Sequence, residues 1–241
     1  MNFLVRKIHK YLSFFISLQL LLWTISGIYF AFNKIELVRG EQYLNHVETS
    51  FDLSKLNFKI EKAKEVKFKK RLGQEIVIIT TKDATKYLNM LGQPLAKISM
   101  EDAINSVSSQ TTLLPFATEE VINEKSGSEY RGRSLPIYRV KSKNVKGTEL
   151  NVYINVYSAE VVAIRSNKWK IWDLMWGFHI MDWKERDNID NLLLKIFSIL
   201  ALISSLSGVI LFFISQKKQQ GKELISMNLL LFVQWDGNQI K

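Results

Sequence analysis

Two stretches of the chain carry no charge, and they lie far apart. The first, Tyr11 to Phe32, reads Y-L-S-F-F-I-S-L-Q-L-L-L-W-T-I-S-G-I-Y-F-A-F over 22 residues, and a helix of that length crosses about 30 Å of hydrocarbon. The second, Ile196 to Ile214, is extended on its near side by Asn191 to Leu194. Transmembrane helices are predicted over 11–32 and 191–214. Between them the pattern changes to short alternating runs. Gln74 to Thr81 (Q-E-I-V-I-I-T-T) and Leu135 to Ser142 (L-P-I-Y-R-V-K-S) are rich in β-branched and aromatic residues and bounded by Gly or Pro, the pattern of strands. K-Y-L-N-M-L-G-Q-P-L-A-K-I-S from Lys86 aligns with V-Y-I-N-V-Y-S-A-E-V-V-A-I-R from Val152 at an offset of 66 residues. The alignment pairs Tyr87 with Tyr153 and Asn89 with Asn155, and each copy reads as strand, turn, strand. Ser99 to Ser109 predicts a helix, with Ser99 as N-cap, Glu101 and Asp102 in the first turn and Ala103, Ile104 and Val107 as its apolar stripe. A matching helix is expected in the first copy within Leu53 to Val66.

Charge gives the spans a direction. Arg6, Lys7 and Lys10 precede the first, and Lys217, Lys218 and Lys222 follow the second, which by the positive-inside rule puts residues 1–10 and the tail 215–241 in the cytoplasm and 33–190 outside it. The first run is too long for the apolar core of a signal peptide and no A-x-A-like site follows it, so an uncleaved signal anchor is expected. Small and polar residues recur at helical spacing within the spans: Ser13, Ser17, Thr24 and Gly27 in the first, Ser204 with Gly208 and Ala201 with Ser205 in the second. Such seams let helices approach closely.

The net charge of +10 is not concentrated on the middle of the chain, where 25 basic and 21 acidic side chains are mixed. That mixture argues against a nucleic-acid partner. The chain has no cysteine, which removes disulfides, thiolate metal sites, iron–sulfur clusters and cysteine nucleophiles.

Three blocks resemble the PepSY-associated transmembrane proteins: R-K-I-H-K-Y-L-S with T-I-S-G in the first span; R-G-R-S-L-P-I-Y-R-V followed by L-N-V-Y-I-N-V-Y-S-A-E-V-V-A-I-R; and W-K-I-W-D-L-M-W-G-F-H-I-M-D-W leading to the S-L-S-G of the last span. They occur in the family's order over roughly residues 4–214. The resemblance implies an α+β fold in which two transmembrane helices flank a periplasmic domain of two tandem PepSY-like units, each a helix packed on a small antiparallel sheet. Residues 33–98 form the first unit and 99–167 the second. It also implies residence in a bacterial inner membrane and an association with iron, siderophore or haem uptake, since longer four-span members look like siderophore reductases carrying b-type haem. Y-S-A-E-V-V departs from the family's D-P-x-T-G-E-V-V turn; its glycine is absent, and an altered turn is expected in the second unit.

Histidines are the candidate ligands. His9 lies at the cytoplasmic mouth of the first span and His179 just before the second, so one chain cannot present both to one porphyrin; a dimer supplying either histidine twice is the haem reading. The bland reading of His9 is a member of the basic belt. Trp169, Trp172, Trp176, His179 and Trp183 recur at spacings of 3, 4, 3 and 4, which places them on one face of a helix over 168–183, most simply an interfacial anchor. Asp182 to Asp187 reads as a solvated charged turn, His46 as an exposed polar residue, and Lys67, Lys69, Lys70 and Arg71 as a solvated face. Neither a catalytic motif nor a metal-ligand spacing occurs. Three functions remain open: a membrane-tethered binding or accessory protein with a membrane or periplasmic protein partner or a second copy; a b-type haem electron-transfer subunit; and a periplasmic protease inhibitor or chaperone.

Overall fold

The computed structural model describes residues 2–45 and 50–237, so His46 falls outside the described residues. It contains a mixed α+β domain flanked by two long apolar helices, α1 (Asn2–Phe32) and α5 (Leu192–Gly237). Both contain stretches long and apolar enough to cross a membrane, Phe3–Phe32 and Leu192–Gly221, and they fit a membrane-spanning topology. The chain divides into two compact units. One takes in the chain up to Gly27, Phe178–Asp182 and the chain from Asp187 onward; the other is Ile28–Gly177 with Trp183–Arg186.

In the helical unit, α1 buries Ile16, Gln19 and Ser26, and α5 buries Ser204 and Ser207. Their outward faces carry Phe14, Phe15, Leu18, Leu202, Phe212 and Phe213, all exposed, as suits a face whose solvent is lipid. The polar seam differs from the predicted one. Ser17 and Thr24 are exposed and return their hydroxyls to their own helix, at Phe14 O and Leu20 O. That arrangement satisfies a hydroxyl in an apolar medium without a second helix. Ser205 is exposed as well. The second helix does not stop at residue 214 as expected: it continues without a break to Gly237, past the basic residues of the expected tail.

In the mixed unit, α2 (Ile35–Arg39) follows the first long helix. Leu53 to Val66 does not form the expected helix. It holds one 3-10 turn, Leu53–Lys55, with Asp52 accepting from Ser54 N, and an irregular path into β1 (Glu65–Arg71). The segment has no continuous apolar stripe, and its lysines would stack on one another in a helix. With β2 (Gln74–Thr80) and β3 (Thr85–Asn89), β1 forms a three-stranded antiparallel meander. Val77, Ile79 and Met90 make its core with Leu56, Phe58 and Phe68 packed around them.

The second sheet is preceded by α3 (Met100–Gln110), which starts where the sequence predicts. Ser99 accepts from Asp102 N at 3.0 Å while the Asp102 carboxylate accepts from Ser99 N at 3.2 Å, a complete capping box. Strands β4 (Leu114–Val121), β5 (Ile137–Lys143), β6 (Glu149–Asn155) and β7 (Val161–Arg165) follow in sequence order, all antiparallel. Both faces of this sheet are covered. Val140, Val152 and Ile164 pack with Ala103 and Val107 of α3, whereas Ile137, Tyr153 and Ala163 on the other face lie against Tyr130 and Leu135 from the long β4–β5 connection. Each aliphatic side chain so buried contributes about 1.5–3 kcal/mol.

The internal repeat is a repeated turn. After β3, Asn89 Oδ1 accepts from Leu91 N and Gln93 N, and Asn89 N donates to Gln93 O. After β6, Asn155 Oδ1 accepts from Tyr157 N and Ser158 N, and Asn155 N donates to Glu160 O. The aligned asparagines thus do the same work, with one more residue in the second turn. In each the residue before the closing acceptor is left-handed: Gly92 at φ 81° in the first and Ala159 at φ 58° in the second. Without a glycine the second turn still has a left-handed residue, because alanine, lacking a branched Cβ, bears that conformation at a cost of about 1–2 kcal/mol, and it is one residue longer than the first. The two sheets meet at these turns, where Tyr87 stacks on Tyr157 at 5.2 Å and accepts from Asn155 Nδ2 at 3.1 Å, and Lys69 pairs with Glu160 at 2.6 Å.

Gly40 closes α2 at φ 79°, and a Cβ there would come within 2.8 Å of Ile164 Cγ2 in β7. Gly40→Ala combines positive-φ strain with a core clash and is expected to lower stability by about 2–3 kcal/mol. Ala159→Gly relieves φ but gives up a buried methyl and some backbone rigidity, so a change below about 1 kcal/mol is expected. Denaturation of the two variants beside the parent measures both; a silent Gly40→Ala would contradict the close approach of α2 to β7.

Candidate functional site

The two candidate histidines both lie in the helical unit, at opposite ends of α1. His9 Nδ1 sits 2.8 Å from Ser207 Oγ of α5, and Ser13 Oγ, one turn along, is 2.8 Å from Ser204 Oγ. Gly208 makes room for the imidazole: a Cβ at that position would lie 3.2 Å from His9 Cε1. His179 ends the helix α4 (Asn167–His179), and its Nδ1 lies 2.8 Å from Ser26 Oγ. Trp23 Nε1 donates to His179 O at 2.7 Å, and Gln19 Nε2 to Phe178 O at 3.2 Å.

The two histidines share one tautomeric logic. Ser26 gives its single hydroxyl proton to Leu22 O at 2.7 Å, and Ser207 gives its own to Ser204 O at 2.8 Å. With its proton so spent, each serine oxygen accepts from the ring in the tautomer that carries the proton on Nδ1 and the lone pair on Nε2. Burial pushes the His179 pKa below its ordinary value of 6.5. The unfolded chain then takes up the proton at higher pH than the folded one, so this residue's contribution to stability is present above about pH 6.5 and is lost on acidification through the folded pKa.

One porphyrin cannot take both rings. His9 and Ser26, the partner of His179, are 17 residues apart on α1, roughly 25 Å at 1.5 Å per residue. A histidine whose Nδ1–H is held by a second group and whose Nε2 carries the lone pair has the form of an axial ligand, and bis-histidine ligation at either end would require a second chain to supply the opposite imidazole. Among the described residues no three His, Asp or Glu side chains converge as a metal site.

The tryptophans are not on one exposed face. Helix α4 ends at His179, and Trp183 lies beyond it, exposed, after a turn with Met181 at φ 56°. Trp169 is buried under two guanidinium groups, Arg165 at 4.6 Å and Arg131 at 5.4 Å from its ring. Trp172 and Trp176 stack on each other at 5.6 Å, with Phe30 at 4.9 Å from Trp172. The outward face of α4 carries Lys168, Lys170, Ile171 and Leu174 instead. The reason is a residue that the tryptophan pattern passes over. Asp173, four residues after Trp169, is 1% exposed and must face its cations. Both come from outside the helix: Arg131 in the β4–β5 connection pairs with one carboxylate oxygen, and Arg186 Nη1 donates to the other at 2.9 Å. A lone acidic residue in step with an aromatic stripe was the visible signal. The partners carried none, being 42 and 13 residues away.

A second carboxylate, Glu129, receives Asn151 Nδ2 at 2.8 Å, Tyr153 Oη at 3.2 Å and Lys170 Nζ at 3.2 Å. Burial pushes the pKa of the Tyr153 phenol upward, and the Glu129 charge adds to it. Glu119 pairs with Arg139, and Glu120 pairs with Lys97 at 2.6 Å. In the basic run of β1, Lys69 and Lys67 pair with acids, and Arg71 donates to Ala96 O at 2.8 Å.

No family model, curated protein or solved structure matches the chain.

Asp173→Asn keeps the shape of the side chain and removes the charge between two arginines that remain semi-buried. A loss of about 3–5 kcal/mol is expected, the cost of breaking a buried ion pair from one side. A loss under about 1 kcal/mol on thermal or chemical unfolding would mean that the cluster is solvated.

Proposed function

We propose that the protein is a membrane-anchored binding or accessory protein of the bacterial inner membrane, whose two PepSY-like units lie in the periplasm and engage a protein or small ligand there. The observation that carries this reading is the pair of asparagine-locked turns, which join two antiparallel meanders into one domain, in a chain that also carries two helices of spanning length. The second meander has the helix-on-sheet form that the family resemblance implies; the first lacks its helix. Sidedness rests on the basic residues at the outer flanks of the spans. A reporter fused after Lys218 is expected to be active only in the cytoplasm, and one inserted near Gly127 only outside it. The reverse pattern would overturn the reading.

A second reading, a b-type haem electron-transfer subunit acting as a dimer or within a complex, is favoured by one feature. Both histidines place Nδ1 2.8 Å from a serine oxygen, a contact that in the Nδ1–H tautomer leaves the lone pair on Nε2 for a metal. An absorption spectrum of the detergent-purified protein separates the readings, since bis-histidine haem gives a Soret band and a sharp reduced α-band. Under the accessory reading the spectrum is featureless there, and His179→Phe costs only about 1 kcal/mol through the lost Ser26 bond. Under the haem reading both His179→Ala and His179→Phe lose the bands while the protein stays inserted. Retained bands in both variants would assign ligation to His9.

A further inference from the structure

The β4–β5 connection covers one end of the second sheet incompletely. A cavity of about 180 Å³ remains there, lined by Gly132, Arg133, Ser134, Ile137, Asn155 and Val162. That volume holds about six waters at ~30 Å³ each, the size of a small ion with part of its hydration rather than of a drug-like molecule. Its floor is apolar and its wall is cationic. Asn155 is fully committed, its carbonyl to the turn and its amide to Tyr87. The guanidinium of Arg133 is exposed and makes no ion pair among the described residues.

Two more guanidinium groups lie close to Arg133. Arg131 is held by Asp173, whose other oxygen is taken by Arg186, and the Glu129 carboxylate is taken by Lys170, Asn151 and Tyr153. Arg165 spends its hydrogen bonds on the carbonyls of Glu129 and Ile164 and lies over the Trp169 indole. Burial, with the charges of Arg133 and Arg131, lowers its pKa to about 10 although the Glu129 charge opposes the shift. Guanidinium groups that repel one another in this way favour an anion beside them.

We infer that the cavity beside Arg133 binds a phosphate group, carried either by a lipid headgroup or by a free small molecule. Arg133, exposed at the cavity with Arg131 and Arg165 close by, offers a guanidinium fork that matches phosphate oxygens two at a time. Gly132, left-handed at φ 72° with open space where a Cβ would stand, lets the backbone approach the ion. The site is independent of the PepSY and haem readings.

The test uses the full-length protein. In detergent, millimolar inorganic phosphate at constant ionic strength should raise the melting midpoint of the parent by a few degrees, chloride should not, and the effect should vanish in Arg133→Ala while Arg133→Lys keeps part of it. In nanodiscs, replacing part of the phosphatidylcholine by phosphatidylglycerol should stabilise the parent over Arg133→Ala if the source is a headgroup. Phosphate stabilisation without a phosphatidylglycerol effect identifies a free ligand; the converse identifies the lipid. The Arg133 side chain is exposed, so these variants keep the core, and Arg133→Gln serves where Arg133→Ala does not fold. Equal behaviour of parent and variant in both media would overturn the site.

Discussion

A carboxylate cannot stand bare in a protein interior, and Asp173 is 1% exposed. It stands in the middle of α4, and its two cations arrive from the β4–β5 connection and from the segment after the helix. Three pieces of chain far apart in sequence are therefore fixed by one charge. Arg131 can reach Asp173 only if the connection lies over the second face of the four-stranded sheet, which is what buries Ile137, Tyr153 and Ala163. The same path puts Arg131 and Arg165 against the Trp169 indole, so an aromatic ring that alternation would send toward a membrane surface is used as a spacer between guanidinium groups. The cavity beside Arg133 is what this path leaves uncovered.

The long helices obey the same rule in a different solvent. Polar side chains within an apolar span must find partners on their own backbone or on the neighbouring helix. Ser17 and Thr24 take the first course; His9, Ser13, Ser204 and Ser207 take the second, and His179 docks on Ser26 in the same manner. Where each serine gives its one proton to a carbonyl of its own helix, it accepts from the imidazole Nδ1–H and the lone pair stands on Nε2. This gives the haem reading its chemical content and gives the accessory reading two interhelical locks.

Much of the fold was legible along the chain. The spans, the α3 capping box, β2 and β5 are local signals, each written in one short consecutive run where backbone geometry and alternation act directly, and the Lys86/Val152 repeat shows when two such runs are compared. The aligned Asn89 and Asn155 both hold the turn that follows their strand. The turn depends on a left-handed residue, supplied by Gly92 in one copy and by Ala159 in the other. The expected helix over Leu53 to Val66 followed from symmetry between the copies, and its own lysine-rich pattern did not support it.

By itself the sequence determined two apolar helices around an α+β domain, the direction in which charge would orient them, and two candidate histidines, one at the mouth of the first span and one shortly before the second, because length, charge and period are properties of a chain before it folds. Which side chains those histidines meet was settled only in three dimensions: Ser207 is 198 residues from His9 and Ser26 is 153 from His179. The tertiary structure also decided which way the tryptophan helix turns. A stripe of large aromatic residues fixes that a face is buried or interfacial, but not what covers it, and here two arginines drawn to one aspartate turned that face inward to the domain.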